Sequence, residues 1–240
     1  MFLGQTDAHF FMGQALMQLS AEAYLAIVGD CSVLLDLRED KYRLLGARLT
    51  QVVIDALGGS PDEHHGVSVR SELVARGVIP EAYQPTATDQ ARVKFESTAE
   101  ATLWPTRRYG LGLGSAPRLS LSALRALLET RSLLRKRSFL ETVEHLRRKR
   151  GGLREREKPI ERQDLLDSFF AARPWFPTEP ICRLDAPAMC LHFWRHGIDA
   201  RLVFGVRVRP FGAHCWAQLG TLALSEPHRK LQQYTPILVV

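Results

Sequence analysis

The chain has few cysteines and no long apolar segment. Its four cysteines are spread over 240 residues with no evident secretion signal, which argues against a disulfide framework, so we expect free thiols. The apolar runs fall far short of the roughly 20 residues that a membrane-spanning helix needs. The N-terminal residues have no basic region before an apolar block, which predicts a cytoplasmic protein without a signal peptide.

Motifs that bind metals or nucleotides are also scarce. The sequence contains no Cys-x-x-Cys, no His-Glu-x-x-His and no Gly-x-x-x-x-Gly-Lys-Ser/Thr loop. His192 and His196 are spaced to lie on one helix face near several cysteines, so a metal site is an alternative. Cys215, however, should point away from His214 on a strand. We therefore expect no bound metal and no bound cofactor.

The net charge of +6 comes from one segment. Residues 117–162 hold 14 Arg or Lys against 6 Asp or Glu, whereas residues 1–80 hold 6 against 10. The basic run at residues 147–150 leaves nucleic-acid binding as an alternative. A solvated helix face is the commoner explanation of such a run, and we predict no nucleic-acid partner.

The N-terminal half has the pattern of a small sheet with helices. Short apolar runs between residues 24 and 45, separated by polar turns, predict three antiparallel strands. Helices are predicted at residues 47–57 and 69–76, and the Pro- and Gly-rich stretch that follows favours a linker. The predicted units are a first module at residues 1–82, a linker at 83–117 and a second module at 118–240.

The C-terminal half has helices first and strands afterwards. Leucines at helical spacing predict two helices between residues 119 and 150, with further helices at 162–173 and 182–196. Alternating apolar residues predict a strand at 200–208, and residues 214–224 predict a hairpin that turns at Gly220. This order is typical of an α+β fold.

Cys182 and His214 are the candidate nucleophile and base. Cys182 lies at a predicted helix start, where free N–H groups and the helix dipole stabilise a thiolate. A histidine on a neighbouring strand completes the arrangement of papain-like and transglutaminase-like enzymes. Glu226 is placed to orient the imidazole, and Asp185, on the cysteine's own helix, is the weaker candidate. A buried structural cysteine and histidine are the alternative.

Three stretches in the last 60 or so residues resemble the B protein of lasso-peptide biosynthesis in its single-chain form. They are residues 182–206, Pro210-Phe-Gly-Ala-His-Cys-Trp and Tyr234-Thr-Pro-Ile. The resemblance implies a bacterial, transglutaminase-like cysteine protease that removes the leader of a ribosomally made precursor peptide. Cys182 is then the nucleophile and His214 the base. The family usually has Asp as the third group, where this chain has Glu226, and a glutamate accepts the same hydrogen bond.

The resemblance also implies a winged-helix-like leader-recognition domain in the N-terminal module. The leader would add as a strand to the sheet edge at residues 40–45, beside the helix that follows; the alternative is that these apolar residues are core only. The candidate leader-binding residues are Asp40, Lys41, Tyr42, Arg43, Leu44, Leu45, Leu49 and Val53.

Two partners follow from the same resemblance: the precursor peptide and a macrolactam synthetase that resembles asparagine synthetase. Cleavage is implied to need ATP, for which the sequence shows no site. A transglutaminase-like acyl transferase and a non-catalytic leader-binding adaptor are the alternative functions.

Overall fold

A computed structural model of the chain describes residues 16–56, 66–81, 99–106, 117–154 and 160–240. The first of two sheets is an antiparallel meander with the strand order β1-β2-β3-β4. Two helices follow it. The elements are β1 (Leu16–Gln18), β2 (Ala23–Val28), β3 (Cys31–Asp36), β4 (Lys41–Leu45), α1 (Ala47–Ala56) and α2 (Gly66–Ala75).

The central strands β2 and β3 are buried on both faces, because they carry apolar residues at consecutive positions. Leu25 and Leu34 share a core with residues of α1 and α2, such as Val53. Tyr24 and Leu35, on the other face, belong to the main core of the C-terminal half. The N-terminal sheet is therefore packed between its own helices and the rest of the protein.

The second sheet has five strands in the order β5-β8-β7-β6-β9. β5 is parallel to β8, and the other neighbours are antiparallel. Helix α6 packs on β7, and α3, α4 and α5 pack around α6. The elements are β5 (Ala101–Leu103), α3 (Pro117–Lys136), α4 (Phe139–Gly151), α5 (Arg162–Ala172), a 3₁₀ turn (Arg173–Trp175), α6 (Cys182–Arg195), β6 (Arg201–Val208), β7 (Phe211–Leu219), β8 (Leu222–Leu224), α7 (His228–Leu231) and β9 (Thr235–Val239).

Local signals explain where α3 ends and α4 begins. Ser138 caps α4 by accepting a hydrogen bond from the Glu141 N–H at 3.2 Å, and the Glu141 carboxylate accepts one from the Ser138 N–H at 2.8 Å. This reciprocal pair is a capping box. It divides the leucine-rich stretch into the two predicted helices.

The mixed α and β composition agrees with the prediction, but several boundaries differ. The first sheet has a fourth strand, β1, and α2 begins and ends before the predicted residues. β7 begins at Phe211 rather than His214, and β9 was not predicted. Within the stretch 83–117 that was predicted to be a linker, residues 101–103 form strand β5 at the edge of the second sheet. The glycine run at residues 110–114 lies outside the described residues.

The basic run at residues 147–150 makes internal contacts. The Arg147 guanidinium lies over the Tyr24 ring at 5.5 Å and donates to its hydroxyl. Arg150 makes a two-pronged ion pair with Asp199, with N–O distances of 2.6 and 3.0 Å. Part of the local positive charge therefore joins elements of the fold. Within the described ranges, no helix is long and apolar enough to cross a membrane.

Candidate active site

Cys182 is the first residue of α6 and is half-buried. Ile181 provides no side-chain cap, so the first N–H groups of the helix keep their hydrogen-bonding capacity for the region around the sulfur. They also place the positive end of the helix dipole there. The local structure is that predicted for a stabilised thiolate.

His214 lies on β7 opposite Gly205 of β6. Its Nε2–H donates to Glu226 Oε2 at 2.6 Å, a short, charge-assisted distance. The imidazole also hydrogen-bonds the sulfur of Cys182. Because Nε2 is used by Glu226, Nδ1 is the ring nitrogen left for Cys182. The structure thus brings Cys182, His214 and Glu226 together, and all three line one cavity.

Aromatic rings hold the imidazole of His214 in place. The Trp216 ring is stacked with it at a centroid distance of 6.2 Å, and the Tyr234 ring lies at 5.5 Å. A Cβ atom on Gly205 would come within 2.8 Å of the Trp216 ring and 3.0 Å of Tyr234 Cβ. The absence of a side chain at Gly205 is therefore what allows Trp216 to lie over this strand.

The environment favours an ion pair between the two reacting groups. The hydrogen bond from Cys215, followed by that from His214, lowers the pKa of Cys182 to about 3 against the opposing effect of burial. Burial lowers the pKa of His214, but the hydrogen bonds to Cys182 and Glu226 outweigh it and raise the pKa to about 9. The thiolate–imidazolium form therefore predominates at neutral pH, as a cysteine nucleophile requires.

The comparison with protein families agrees with this geometry. Residues 124–239 match the transglutaminase-like superfamily. This part of the chain is a transglutaminase-like domain. The domain contains Cys182, His214 and Glu226, and the superfamily includes cysteine proteases and acyl transferases. Searches of curated proteins and of solved structures gave no match.

Glu226 is held by residues of β5, which lies outside the matched residues 124–239. The Thr102 hydroxyl of β5 donates to the Glu226 main-chain oxygen at 2.9 Å and accepts from the His228 N–H at 2.9 Å. The Ser225 N–H donates to the Leu103 oxygen at 2.9 Å. Ser225 itself has a φ of 61°. Non-glycine residues rarely adopt this conformation unless the surrounding contacts enforce it. No pattern in the sequence predicts these contacts.

Cys215 is a second residue of the site that was not predicted from the sequence. Hydrogen bonds from its side chain and its N–H help to lower the pKa of Cys182. The hydrogen bond to Cys182 and burial raise the pKa of Cys215 well above its ordinary value. Cys215 is thus a neutral thiol that donates to the thiolate of the transglutaminase-like domain.

Asp185 takes a different role from Glu226. Its Oδ1 accepts from Arg173 Nε at 2.7 Å, and burial raises its pKa despite that pair. Arg173 is 6% exposed and also donates to the main-chain oxygens of Phe176 and Thr178 at 3.1 and 3.0 Å. The pair therefore stabilises the conformation of the chain segment that precedes α6.

The two histidines considered for a metal are engaged with serines. Both ring nitrogens of His192 make hydrogen bonds, with Ser168 at 3.1 Å and Ser122 at 3.2 Å. His196 Nε2 lies 3.0 Å from the same Ser122 hydroxyl. Burial lowers the pKa of His192 to about 3, so that its imidazole is neutral. In the ranges described above, no three metal-binding side chains cluster.

The candidate leader-binding residues lie on and behind the edge strand β4. Asp40 pairs with Arg183 at 3.0 Å, and the Tyr42 ring contacts Phe211 edge-on at 6.3 Å. These contacts place the β3–β4 hairpin beside both the nucleophile and the start of β7.

The other six candidates differ in exposure. Leu44 is 52% exposed on β4. Lys41 and Arg43 both pair with Glu39, at 3.2 and 2.9 Å. Leu45 and Val53 are buried and Leu49 is partly buried, all in the core beneath α1. Leu44 is therefore the apolar side chain on this strand that is most available to a ligand.

Proposed function

We propose that the protein is the leader peptidase of a lasso-peptide pathway. The observation that carries the proposal is that Cys182, His214 and Glu226 lie together at one cavity within a transglutaminase-like domain, with His214 hydrogen-bonded to Glu226. The resemblance of residues 182–240 to the lasso B protein adds the substrate class. The substrate is then a ribosomally made precursor peptide, cut between its leader and its core.

The reaction would use the ion pair directly. The Cys182 thiolate attacks the carbonyl carbon of the junction peptide bond, and N–H groups near the start of α6 face the developing oxyanion. The carbon–nitrogen bond breaks as His214 gives its proton to the leaving amine, and a thioester remains. Water then attacks the thioester and gives its proton to His214. The carbon–sulfur bond breaks, which releases the leader carboxylate and restores the thiolate.

Leader recognition is assigned to the N-terminal sheet, in the proposed role of a winged-helix-like recognition domain. β4 is the last strand of that sheet, with β3 as its only strand partner in the part that the structure describes. A peptide in extended conformation would pair with its outer edge through main-chain hydrogen bonds. The contacts of Asp40 with Arg183 and of Tyr42 with Phe211 support a path from that edge to Cys182.

The proposal includes two partners and a location. The freed core amine would pass to a macrolactam synthetase that resembles asparagine synthetase, and cleavage would require ATP together with that partner. The reaction would take place in the bacterial cytoplasm. No residue of this chain is assigned to ATP.

The test combines the full-length protein with the precursor peptide encoded beside its gene, the synthetase and ATP. We expect mass spectrometry to show a free leader carrying one added water and a released core. Cys182→Ala should abolish the product, and Cys31→Ser, at a partly exposed cysteine on β3, should not. Cleavage by Cys182→Ala would overturn the assignment.

The same experiment separates the alternative functions. A leader joined to an amine rather than to water would show an acyl transferase. Binding of the precursor without cleavage, by the wild-type protein with the synthetase and ATP present, would show an adaptor. Both results would overturn the peptidase proposal.

A further inference from the structure

A cavity of about 460 Å³ opens beside Cys182. Cys182, His214 and Glu226 form one side of it. The remaining wall comes from the end of α5, the 3₁₀ turn, the chain that leads into α6, the first turns of α6, and residues of β7 and β8. Its largest apolar side chains are Phe169, Phe170, Phe176, Ile181, Met189 and Leu224. The volume falls in the range of small-ligand sites, so the cavity has room for a large amino-acid side chain.

The charged groups in the wall are already paired. Arg173 is neutralised by Asp185 at 2.7 Å and has its other nitrogens on main-chain oxygens. Glu226 accepts from His214 and lies 3.7 Å from Lys230 Nζ. A charged group that entered the cavity would lose its hydration without gaining an unused partner. An apolar group would instead gain the burial of its surface.

One polar group in the wall is unused. The Thr178 hydroxyl is buried, and among the described residues it has no hydrogen-bond partner. The other residues of the wall are mainly apolar or aromatic.

We infer that this cavity is the subsite for a large uncharged side chain, aliphatic or aromatic, on the acyl side of the bond that Cys182 attacks. The acyl side is chosen because that part of the substrate stays attached to Cys182 through both steps, whereas the amine part leaves after the first. The inference rests on the proposed function, since it names the side chain that the peptidase selects. Phe170, half-buried at the end of α5, is the proposed specificity-determining residue.

The test uses peptidyl chloromethyl ketones, in which the Cys182 sulfur displaces chloride and forms a thioether. Probes that differ only in the side chain next to the reactive carbon (Leu, Phe, Asp or Lys) are compared on the full-length protein by mass spectrometry. We expect the Leu and Phe probes to modify Cys182 at least tenfold faster than the Asp and Lys probes. Iodoacetamide, which has no peptide part, measures the reactivity of the thiol itself.

A variant then tests the wall. Phe170→Lys places a cation at the cavity, so the ratio of the Leu to the Asp rate should fall at least tenfold. Leu121→Lys, at a 51% exposed site on α3 that does not line the cavity, is the matched control and should keep the wild-type ratio.

Two outcomes separate the failure of this inference from that of the proposed function. Rapid labelling of Cys182 by iodoacetamide, with equal rates for all four probes on the wild-type protein, would overturn the subsite and leave the nucleophile intact. Failure of iodoacetamide to label Cys182 faster than Cys31 would overturn the nucleophile, and the peptidase with it. The comparison of the four probes uses the wild-type protein alone, so it does not depend on whether a variant folds.

Discussion

The hydroxyl of Thr102 donates to the main-chain oxygen of Glu226 at 2.9 Å, although the two residues are 124 positions apart. We predict that Thr102→Val, which keeps the shape and removes the hydroxyl, lowers kcat/KM for precursor cleavage about tenfold, the equivalent of one lost hydrogen bond. Because Glu226 raises the pKa of His214, a looser Glu226 should also move the alkaline loss of activity to lower pH.

Thr102→Ser is the matched variant, since it keeps the oxygen and should restore both the rate and the pH profile. A Thr102→Val protein with the rate and pH profile of the wild type would show that the other contacts of β5 suffice to position Glu226.

Gly205 offers a test of the ring stack behind His214. Gly205→Ala would bring a methyl group within 2.8 Å of Trp216, so the indole must move and disturb the imidazole stacked on it. We expect a loss of about 1–3 kcal/mol in the free energy of unfolding and a marked fall in cleavage rate. Gly151→Ala, where an added Cβ meets no atom within 4 Å, is the control. Identical urea midpoints for the two variants would contradict the prediction.

The pH dependence of alkylation tests the ion pair. With the pKa of Cys182 near 3, iodoacetamide should modify it readily at pH 5, where an ordinary cysteine is almost wholly protonated. His214→Ala and Cys215→Ala each remove a hydrogen bond to the sulfur, so each should raise that pKa and slow labelling at pH 5 at least tenfold. Cys190→Ala, eight residues along α6, is the control. An unchanged pH profile of labelling in both site variants would contradict the ion pair.

The same shifts set the pH window of stability. The pKa of Cys182 is depressed by folding, so its contribution is lost as pH falls through about 3. The pKa of His214 is raised, so its contribution is complete below its ordinary value of 6.5 and is lost as pH rises through about 9. We expect the stability difference between the wild type and His214→Gln, measured by urea unfolding, to shrink between pH 6.5 and 9. A difference that is constant over this range would refute the linkage.

The ion pair of Arg173 with Asp185 should be important for stability. Arg173→Met leaves a largely buried carboxylate and two main-chain oxygens without their donor, and we expect a loss of about 3 kcal/mol in the free energy of unfolding. Arg173→Met combined with Asp185→Leu should recover part of that loss. Arg76→Met, which removes an exposed helical pair with Glu72, should cost less than about 0.5 kcal/mol. Equal costs for Arg173→Met and Arg76→Met would contradict this account.

The local structure of the candidate site could be predicted from the sequence. α6 begins at Cys182, as predicted, and His214 lies on a strand. Glu226 follows the hairpin closely enough to reach His214. Each of these predictions depends on residues within one or two elements, where the periods of 3.6 and 2 residues are directly visible.

The contacts that complete the site could not be predicted in this way. β5 is three residues long and pairs with β8, some 120 residues later, so no local period marks it. The influence of Cys215 and His214 on the pKa of Cys182 depends on the packing of α6 on β7. The packing of one element on another decides such contacts.

The sequence by itself determined that Cys182 begins a helix and that His214 lies on a strand, because helix starts and strand alternation are local properties of the chain. Only the tertiary structure decided that Thr102 holds Glu226, that Cys215 donates to the thiolate, and that the N-terminal sheet lies against the start of α6. Those relationships join residues far apart in the chain, and they exist because the two sheets share one core.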